Sequence, residues 1–538
     1  MRERSEMILA DLVEIRAEQQ PDLDVLTFEH ASLDGGATSD EVRTYADLSA
    51  NGNRIAAELC RRGLGRGERF ALMMRNHPEF VEAMIAASIS ATVFVPIDPR
   101  TRGEKLAYVL RNAGCRGAIC ADYCLAEVTA ADAPDLGWVL GLETGEGPEA
   151  LAVSDVSGVD SLDEVLAKPV SAVDVRLEDA EDPLQIIYTS GTTGDPKGVV
   201  FPNSRFGIIS MLGHLMGYRP EDRPYTGLSL THGNAQGVTL GPALRMGLRA
   251  VFSRRFTKSK LWDVCRAYDC TTFSLLGGMV TAIYSEPARP DDADNPVRFV
   301  VSAGMPAPIW EAFEKRFDVQ VFEWYGAVEG GVAFKPIGAG PLGCFGKPAP
   351  GLDMKILDEN DVECPPGVVG EICSRPAGGG PVSVEYHGNR EASEKKTRGG
   401  WLRSGDMGHT DEEGWFYFDY RKGGGIRHNG DFVNAAFVEK VIAEHAAVSD
   451  VFVYGIPAAS GAPGEKDVVA AIVPVDRESF SAPSVFARCR EGLESNFVPS
   501  YLQVLDEIPK TASEKPQERF LLAEFAPERP NVFAEERG

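Results

Sequence analysis

Residues 186–200 read Ile-Ile-Tyr-Thr-Ser-Gly-Thr-Thr-Gly-Asp-Pro-Lys-Gly-Val-Val. An apolar, strand-like run stops in a loop that carries Thr189, Ser190, Gly191, Thr192, Thr193, Gly194 and Lys197. Glycines let backbone N–H groups approach anionic oxygens, hydroxyls donate further hydrogen bonds, and the lysine adds charge. The chemistry such a loop suits is a grip on polyphosphate. It is not the common phosphate loop, which needs Gly-Lys-Ser/Thr leading into a helix. Lys197 follows Pro196 and precedes Gly198, and no dinucleotide Gly-x-Gly-x-x-Gly pattern fits. The bland alternative is a surface turn between two strands.

Four other places hold residue types that could act on a nucleotide. Tyr325 and Glu329 stand four apart around Gly326; a lone carboxylate beside phosphate oxygens suits magnesium, although a glutamate after a turn is usually only solvated. Residues 302–306, Ser-Ala-Gly-Met-Pro, are small enough to lie against a planar base, or form a tight turn before a helix. Asp406 in Ser-Gly-Asp is an acceptor-only group able to take two hydroxyls, or an ordinary turn aspartate. Lys515, in a polar stretch, has nothing but its motif to set it apart from a solvated lysine. His232 is read with equal weight as a packed histidine or a pocket residue.

Helical and strand-like segments alternate through the first half of the chain. Helical spacing runs over 48–63, 78–90 and 106–113, with strands over 69–74, 91–97 and 117–121, which argues for an α/β fold of mostly parallel sheets flanked by helices. Residues 125–180 read as an acidic peripheral excursion and 336–351 as an irregular connection. From 362 to 418, short β-like runs (368–373, 381–386, 415–419) mark a β-rich subdomain. Three glycines at 423–425 suggest a pivot, or an ordinary glycine loop. The expected organisation is a large domain over 1–423 and a small α/β domain over 425–538, hinged near 420–425. The small domain is expected to hold helices over 435–444 and 484–496, strands over 450–455 and 467–474, and a polar tail.

At 538 residues the chain exceeds what one core usually holds. Its apolar fraction of 43% is ordinary. No run of apolar residues is long enough to span a membrane, and residues 1–20 lack a signal-type apolar core. Ten cysteines without a zinc-like Cys-x-x-Cys pair read as reduced thiols of a cytoplasmic enzyme. The net charge of −26 argues against nucleic acid or an acidic membrane as partner. An anionic substrate then needs a local positive site.

The string 189–198 resembles the signature of the adenylate-forming superfamily, which includes acyl-CoA synthetases, peptide-synthetase adenylation domains and insect luciferases. Residues 322–334, 401–418 and 509–515 resemble three further motifs of that superfamily, in order. The resemblance implies roles residue by residue. The 189–194 backbone and Lys197 would hold the β- and γ-phosphates of ATP, with Thr189 and Glu329 at the metal, Mg2+. Ala303, Gly304 and Met305 would lie against adenine, Tyr325 would stack on it, and Gly326 and Val328 would flank it. Asp406 would hold the ribose, Arg421 the ribose or phosphate, and Lys515 would act at the reacting centre. His232, Asn234, Gly278 and Gly330 would line the acyl pocket, with His232 gating it or touching the carboxylate. Arg427 and Gly430 would meet CoA once the small domain rotates about Gly424. The sequence departs from the family pattern at Val328 (Thr in the family), at Gly424 (Asp or Lys) and at Glu514 (Gly). Residues 427–433 are most similar to the crotonobetaine/carnitine-CoA ligase branch.

The implied reaction is ATP-dependent activation of a carboxylic acid to an acyl-adenylate, then transfer to CoA, in fatty-acid or xenobiotic-acid metabolism. The pocket segments are glycine-rich and nearly free of charge, so an apolar or aryl-bearing acid is expected rather than a cation. Two alternatives stay open: a ligase that stops at the adenylate or loads a carrier protein, and a nucleotide sensor without catalysis. The expected state is monomer or homodimer.

Overall fold

A computed structural model describes residues 3–32, 39–189, 196–422, 425–428, 431–433, 435–459, 466–494, 496–511 and 514–535. The chain divides into two compact units. The first comprises residues 1–257, 263–274 and 384–395; the second comprises 258–262, 275–383 and 396–538.

The first unit holds a seven-stranded sheet in the order Val159–Ser161, Val139–Leu142, Cys115–Ala121, Arg69–Met73, Val93–Pro96, Pro183–Thr189, Lys197–Pro202. Every pair is parallel except the last, an antiparallel hairpin. Helices Tyr45–Arg61, Pro78–Ser90 and Gly103–Ala113 alternate with these strands. The first starts at a capping box: the Thr44 side chain accepts from the Asp47 N–H, and the Asp47 carboxylate accepts from the Thr44 N–H at 2.9 Å. The second starts at Pro78, whose missing N–H costs nothing in a first turn, and all of its residues are buried. A further set of strands pairs Asp24–Glu29 and Pro224–Thr226 in parallel with Ala250–Ser253.

The second unit holds eight strands in the order Phe299–Ala303, Gln320–Ala327, Gly330–Lys335, Cys344–Pro348, Phe416–Arg421, Leu402–Thr410, Gly370–Pro376, Leu352–Leu357. Only the first pair is parallel. The run folds over itself around Ala333, Phe345, Met354, Ile356, Ile372 and Phe416. Residues 435–534 form a four-stranded sheet: Val448–Pro457, Lys466–Pro474, Tyr501–Val504, Val532–Ala534. Val438, Ile442, Val485 and Phe486, from helices Ala435–Ala443 and Ala482–Gly492, join one core on it. Leu521, from helix Glu518–Glu524, joins a second core with Tyr454 and Ile508. No described helix is long and apolar enough to cross a membrane.

Four expectations change. The excursion over 125–180 adds two strands, 139–142 and 159–161, to the edge of the first sheet. Short strands at an edge carry too few apolar residues to show a period. The connection over 336–351 contains strand Cys344–Pro348. The run at 381–386 forms no strand; only Tyr386 makes an isolated bridge, to Val199. The polar tail holds a helix and two strands: Leu502 and Val504 are buried in one strand, and Leu521 docks the helix.

Gly346 has φ +113°, and a Cβ there would lie 1.9 Å from the Phe334 carbonyl oxygen on the neighbouring strand. Gly346→Ala is expected to lower stability by about 3 kcal/mol or more, since both strain and clash act at once. A thermal or denaturant midpoint equal to that of the parent protein would contradict this packing.

Candidate functional site

In the first unit, strands Pro183–Thr189 and Lys197–Pro202 pair so that Thr189 faces Lys197. The two strands that bracket the glycine-and-threonine segment in sequence are therefore paired with each other. Ser190, Gly191, Thr192, Thr193 and Gly194 lie outside the described residues, as do Gly424 and Gly430. The Thr189 hydroxyl lies 3.4 Å from the Lys197 carbonyl. The exposed Lys197 ammonium is 5.7 Å from the ring centre of Tyr386.

Asn234 precedes a wide π-type turn over Ala235–Leu240, a geometry that often accompanies functional positions. The Asn234 N–H donates to Nδ1 of His232 at 3.2 Å. The Asn234 side chain is 4% exposed, and neither end of its amide has a partner among the described residues. Such a group is costly unless something else pairs with it. Gln236 next to it is satisfied by a reciprocal amide pair with Gln185, at 2.7 and 3.1 Å.

In the second unit the geometry converges on Asp406. Its Oδ2 accepts from the Tyr325 hydroxyl at 2.7 Å, and its Oδ1 accepts from Arg421 at 2.6 Å. Asp406 and Arg421 are partners across neighbouring strands, whereas three strands separate Asp406 from Tyr325 in sheet order. The fold-over of the strand run closes that gap. The Ser404 hydroxyl accepts the Asp406 N–H at 2.9 Å, and Glu371 accepts the Gly405 N–H at 3.0 Å. Gly405, at φ +80°, occupies the left-handed conformation that glycine tolerates. Burial and then the Asp406 charge push the Tyr325 phenol well above its usual range. Burial alone would lower Arg421, but Asp406 outweighs it and keeps the guanidinium charged. The Tyr325 ring stacks on Phe345, with centroids 4.5 Å apart.

Two residues before Tyr325, Glu323 lies 3% exposed on the same strand. It accepts the Gly304 N–H at 2.5 Å and the Met305 N–H at 3.2 Å. Gly304 has φ +103°. Glu329 lies with Val328 at the tip of the hairpin that contains Gly326 and Gly330, and meets Lys396 at 3.4 Å. One carboxylate fits a magnesium ion whose other ligands are phosphate oxygens and water. No cluster of three metal-binding side chains exists among the described residues.

Lys515 keeps exposed surface, yet crowding by nearby atoms lowers its pKa. The Arg421 charge lowers it further and Asp406 opposes, so its ammonium lies in the field of both groups. Its N–H donates to the Thr511 hydroxyl at 3.2 Å. Glu514 stands at φ +56°. The position where the resemblance calls for glycine thus does take the glycine conformation, and glutamate holds it under strain. A Cβ on Gly278, in helix Gly277–Tyr284, would lie 3.3 Å from the Glu514 carbonyl, so these backbones nearly touch. Ala303 ends strand Phe299–Ala303. Arg427 is exposed, on a two-residue strand paired with 431–432.

Sequence reading passed over Glu323, Glu371 and Lys396. Glu323 had a signal: a charge inside the apolar run Val321, Phe322, Trp324. The other two act only through tertiary contact and left no local trace.

The model of the AMP-binding enzyme family matches residues 13–380, and that of the AMP-binding enzyme C-terminal domain matches 438–515. The chain belongs to the AMP-binding enzyme family. Among similar proteins, the medium/long-chain-fatty-acid–CoA ligase FadD17 of Mycobacterium tuberculosis is 30% identical over 492 residues, covering 90% of this chain and 92% of that protein. The crotonobetaine/carnitine–CoA ligase of Proteus mirabilis is 28% identical, covering 88% and 91%. An anthranilate CoA ligase, AuaEII, crystallised with anthranoyl-AMP, superposes with TM-score 0.80 at 21% identity, covering 96% of each chain. A benzoate CoA ligase from Burkholderia xenovorans superposes with TM-score 0.77 at 23% identity, covering 96% of this chain and all of that one. The adenylate-forming fold read from the sequence holds. The chain is an enzyme of the AMP-forming acyl-CoA ligase class.

Proposed function

We propose that the protein activates an apolar or aryl-bearing carboxylic acid with ATP and transfers the acyl group to CoA, releasing AMP. The observation that carries this reading is the unfinished coordination of Asp406. Among the described residues Tyr325 occupies one acceptor position on one oxygen and Arg421 one on the other, which leaves a position on each for a pair of neighbouring hydroxyls. A ribose carries such a pair.

On this reading Gly304 and Met305 present backbone to the adenine, and Tyr325 lies beside it. Lys197 and the segment after Thr189 neutralise the outer phosphates. Glu329, kept near by Lys396, would hold a magnesium ion, which supplies positive charge on the phosphate oxygens. The acid's carboxylate attacks the α-phosphorus and pyrophosphate leaves. Lys515 places its ammonium where negative charge grows, and its work is positioning and charge neutralisation. The thiolate of CoA then attacks the adenylate carbonyl and AMP departs; a pivot near 420–425 would withdraw Lys515 and bring Arg427 to the CoA side. His232, Asn234, Gly278 and Gly330 are assigned to the acid, and the Asn234 amide, which has no partner among the described residues, favours a substrate with a hydrogen-bonding substituent. FadD17 acts on fatty acids and AuaEII on anthranilate by their names, which brackets the range to be screened.

The test is a panel of aliphatic and aryl acids assayed for AMP formation with and without CoA. CoA-dependent AMP and thioester from at least one acid is the expected result. Acyl-AMP accumulating unchanged in the presence of CoA would overturn the thioester step.

A second expectation follows from Lys515. Its pKa is depressed, so the protonated form is lost at a lower pH than for an ordinary lysine. ATP–pyrophosphate exchange should therefore lose activity on its alkaline side below the usual lysine range. Lys515→Arg, which stays charged, should be slower but without that limb. An identical limb in the variant would remove Lys515 from the role.

A further inference from the structure

Glu323 is a carboxylic acid in a place where carboxylic acids are rare. It is buried in the middle of a strand, and no ion pair closes on it among the described residues. Its two oxygens face the backbone of one turn: Oε1 accepts from Gly304 at 2.5 Å, and both oxygens lie 3.2 Å from the Met305 nitrogen. The Gly304 φ of +103° is a conformation that L side chains rarely adopt, and these hydrogen bonds hold it. The other charged or titratable groups facing Glu323 are Lys335, its register partner on the next strand, and Cys344 one strand further on. Strand Phe299–Ala303 on the other side brings no titratable residue. Lys335 is itself buried, with its ammonium 4.4 Å from the ring centre of Trp310.

We propose that Glu323 is a positioning residue for the nucleotide: it fixes the Gly304–Met305 turn against which the adenine lies, and its ionisation makes nucleotide affinity depend on pH. This rests on the assignment of 303–305 to adenine made above. Hydrogen bonds from backbone N–H to a carboxylate are shorter and roughly twice as strong as those to a neutral acceptor. Burial raises the pKa of Glu323 to about 8, and the Gly304 N–H, the Ser302 hydroxyl, the Met305 N–H and Lys335 only partly offset that. Protonated Glu323 therefore holds the turn more loosely at neutral pH, and ionised Glu323 holds it more tightly above that value. The turn and the base-binding surface are the same few atoms, so a looser turn means weaker binding.

Glu323→Gln keeps the shape and one acceptor but cannot ionise. The dissociation constant for ATP, measured on the full chain for parent and variant, should diverge as pH rises from about 6.5 to about 9, the variant becoming about threefold or more the weaker binder. Taking the ratio removes the titration of ATP itself and of Lys515, which both proteins share. A ratio constant across that range overturns the proposal, because a merely structural role would shift affinity equally at all pH values. Should the variant not fold, adenosine binding by the parent protein serves instead, since adenosine lacks phosphates. Tightening across the same range supports the proposal and a flat profile overturns it. Absence of any nucleotide binding overturns this proposal together with the nucleotide reading beneath it, whereas binding with a constant ratio removes only the role of Glu323.

Discussion

One carboxylate, Asp406, binds the second unit's strands into a site. It is 6% exposed and carries a formal charge that burial penalises, so it needs partners. It takes them from two directions, from Arg421 on the adjacent strand and from Tyr325 across three intervening strands. Sheet register decides whether this happens. A slip of one residue between Leu402–Thr410 and Phe416–Arg421 would turn Asp406 to the opposite face and strand both partners. On the other neighbouring strand, Gly370–Pro376, the pairing is irregular between Glu371 and Cys373, and there Glu371 braces the turn at Ser404 and Gly405.

The same economy governs the segments on either side. Strand Gln320–Ala327 supplies two functional groups at a spacing of two, so Glu323 and Tyr325 share one face. The first sets the turn at 304–305 and the second reaches Asp406. Lys515 enters the field of Asp406 and Arg421 on a chain segment that is strained at Glu514. A residue held at positive φ without being glycine costs about 1–2 kcal/mol. The surrounding contacts, including the close approach of Gly278, supply that. Strain beside a group proposed to act on the reacting centre is where strain is often tolerated.

Much of this was legible in the residues. The parallel sheet of the first unit showed as alternating periods, because its strands are buried on both faces and its helices are long. The strand-like run before the glycine-and-threonine loop forms strand Pro183–Thr189, whereas the strand through Tyr325 and the pairing of Asp406 with Arg421 emerge only in the fold. Three kinds of feature were hidden. Edge strands such as Val159–Ser161 are too short to show a pattern. The helix at 518–524 buries Leu521 and leaves Phe520 and Leu522 exposed, so its seven residues show no apolar period. Buried ionisable residues such as Glu323 and Lys335 look like surface residues until the fold shows what faces them. Glu514 carried a real signal in the opposite sense: a departure from glycine that the backbone did not follow.

The central claim is that the two open acceptor positions on Asp406 belong to a ribose, with Lys515 near the phosphate that follows it. A crystal structure with a non-hydrolysable acyl-adenylate tests it most directly. The account predicts both ribose hydroxyls within hydrogen-bond distance of the Asp406 carboxylate, the base against Gly304 and Met305, and the Lys515 ammonium at the phosphate mimic. Ligand density elsewhere, with Asp406 still bound only to Tyr325 and Arg421, would contradict it.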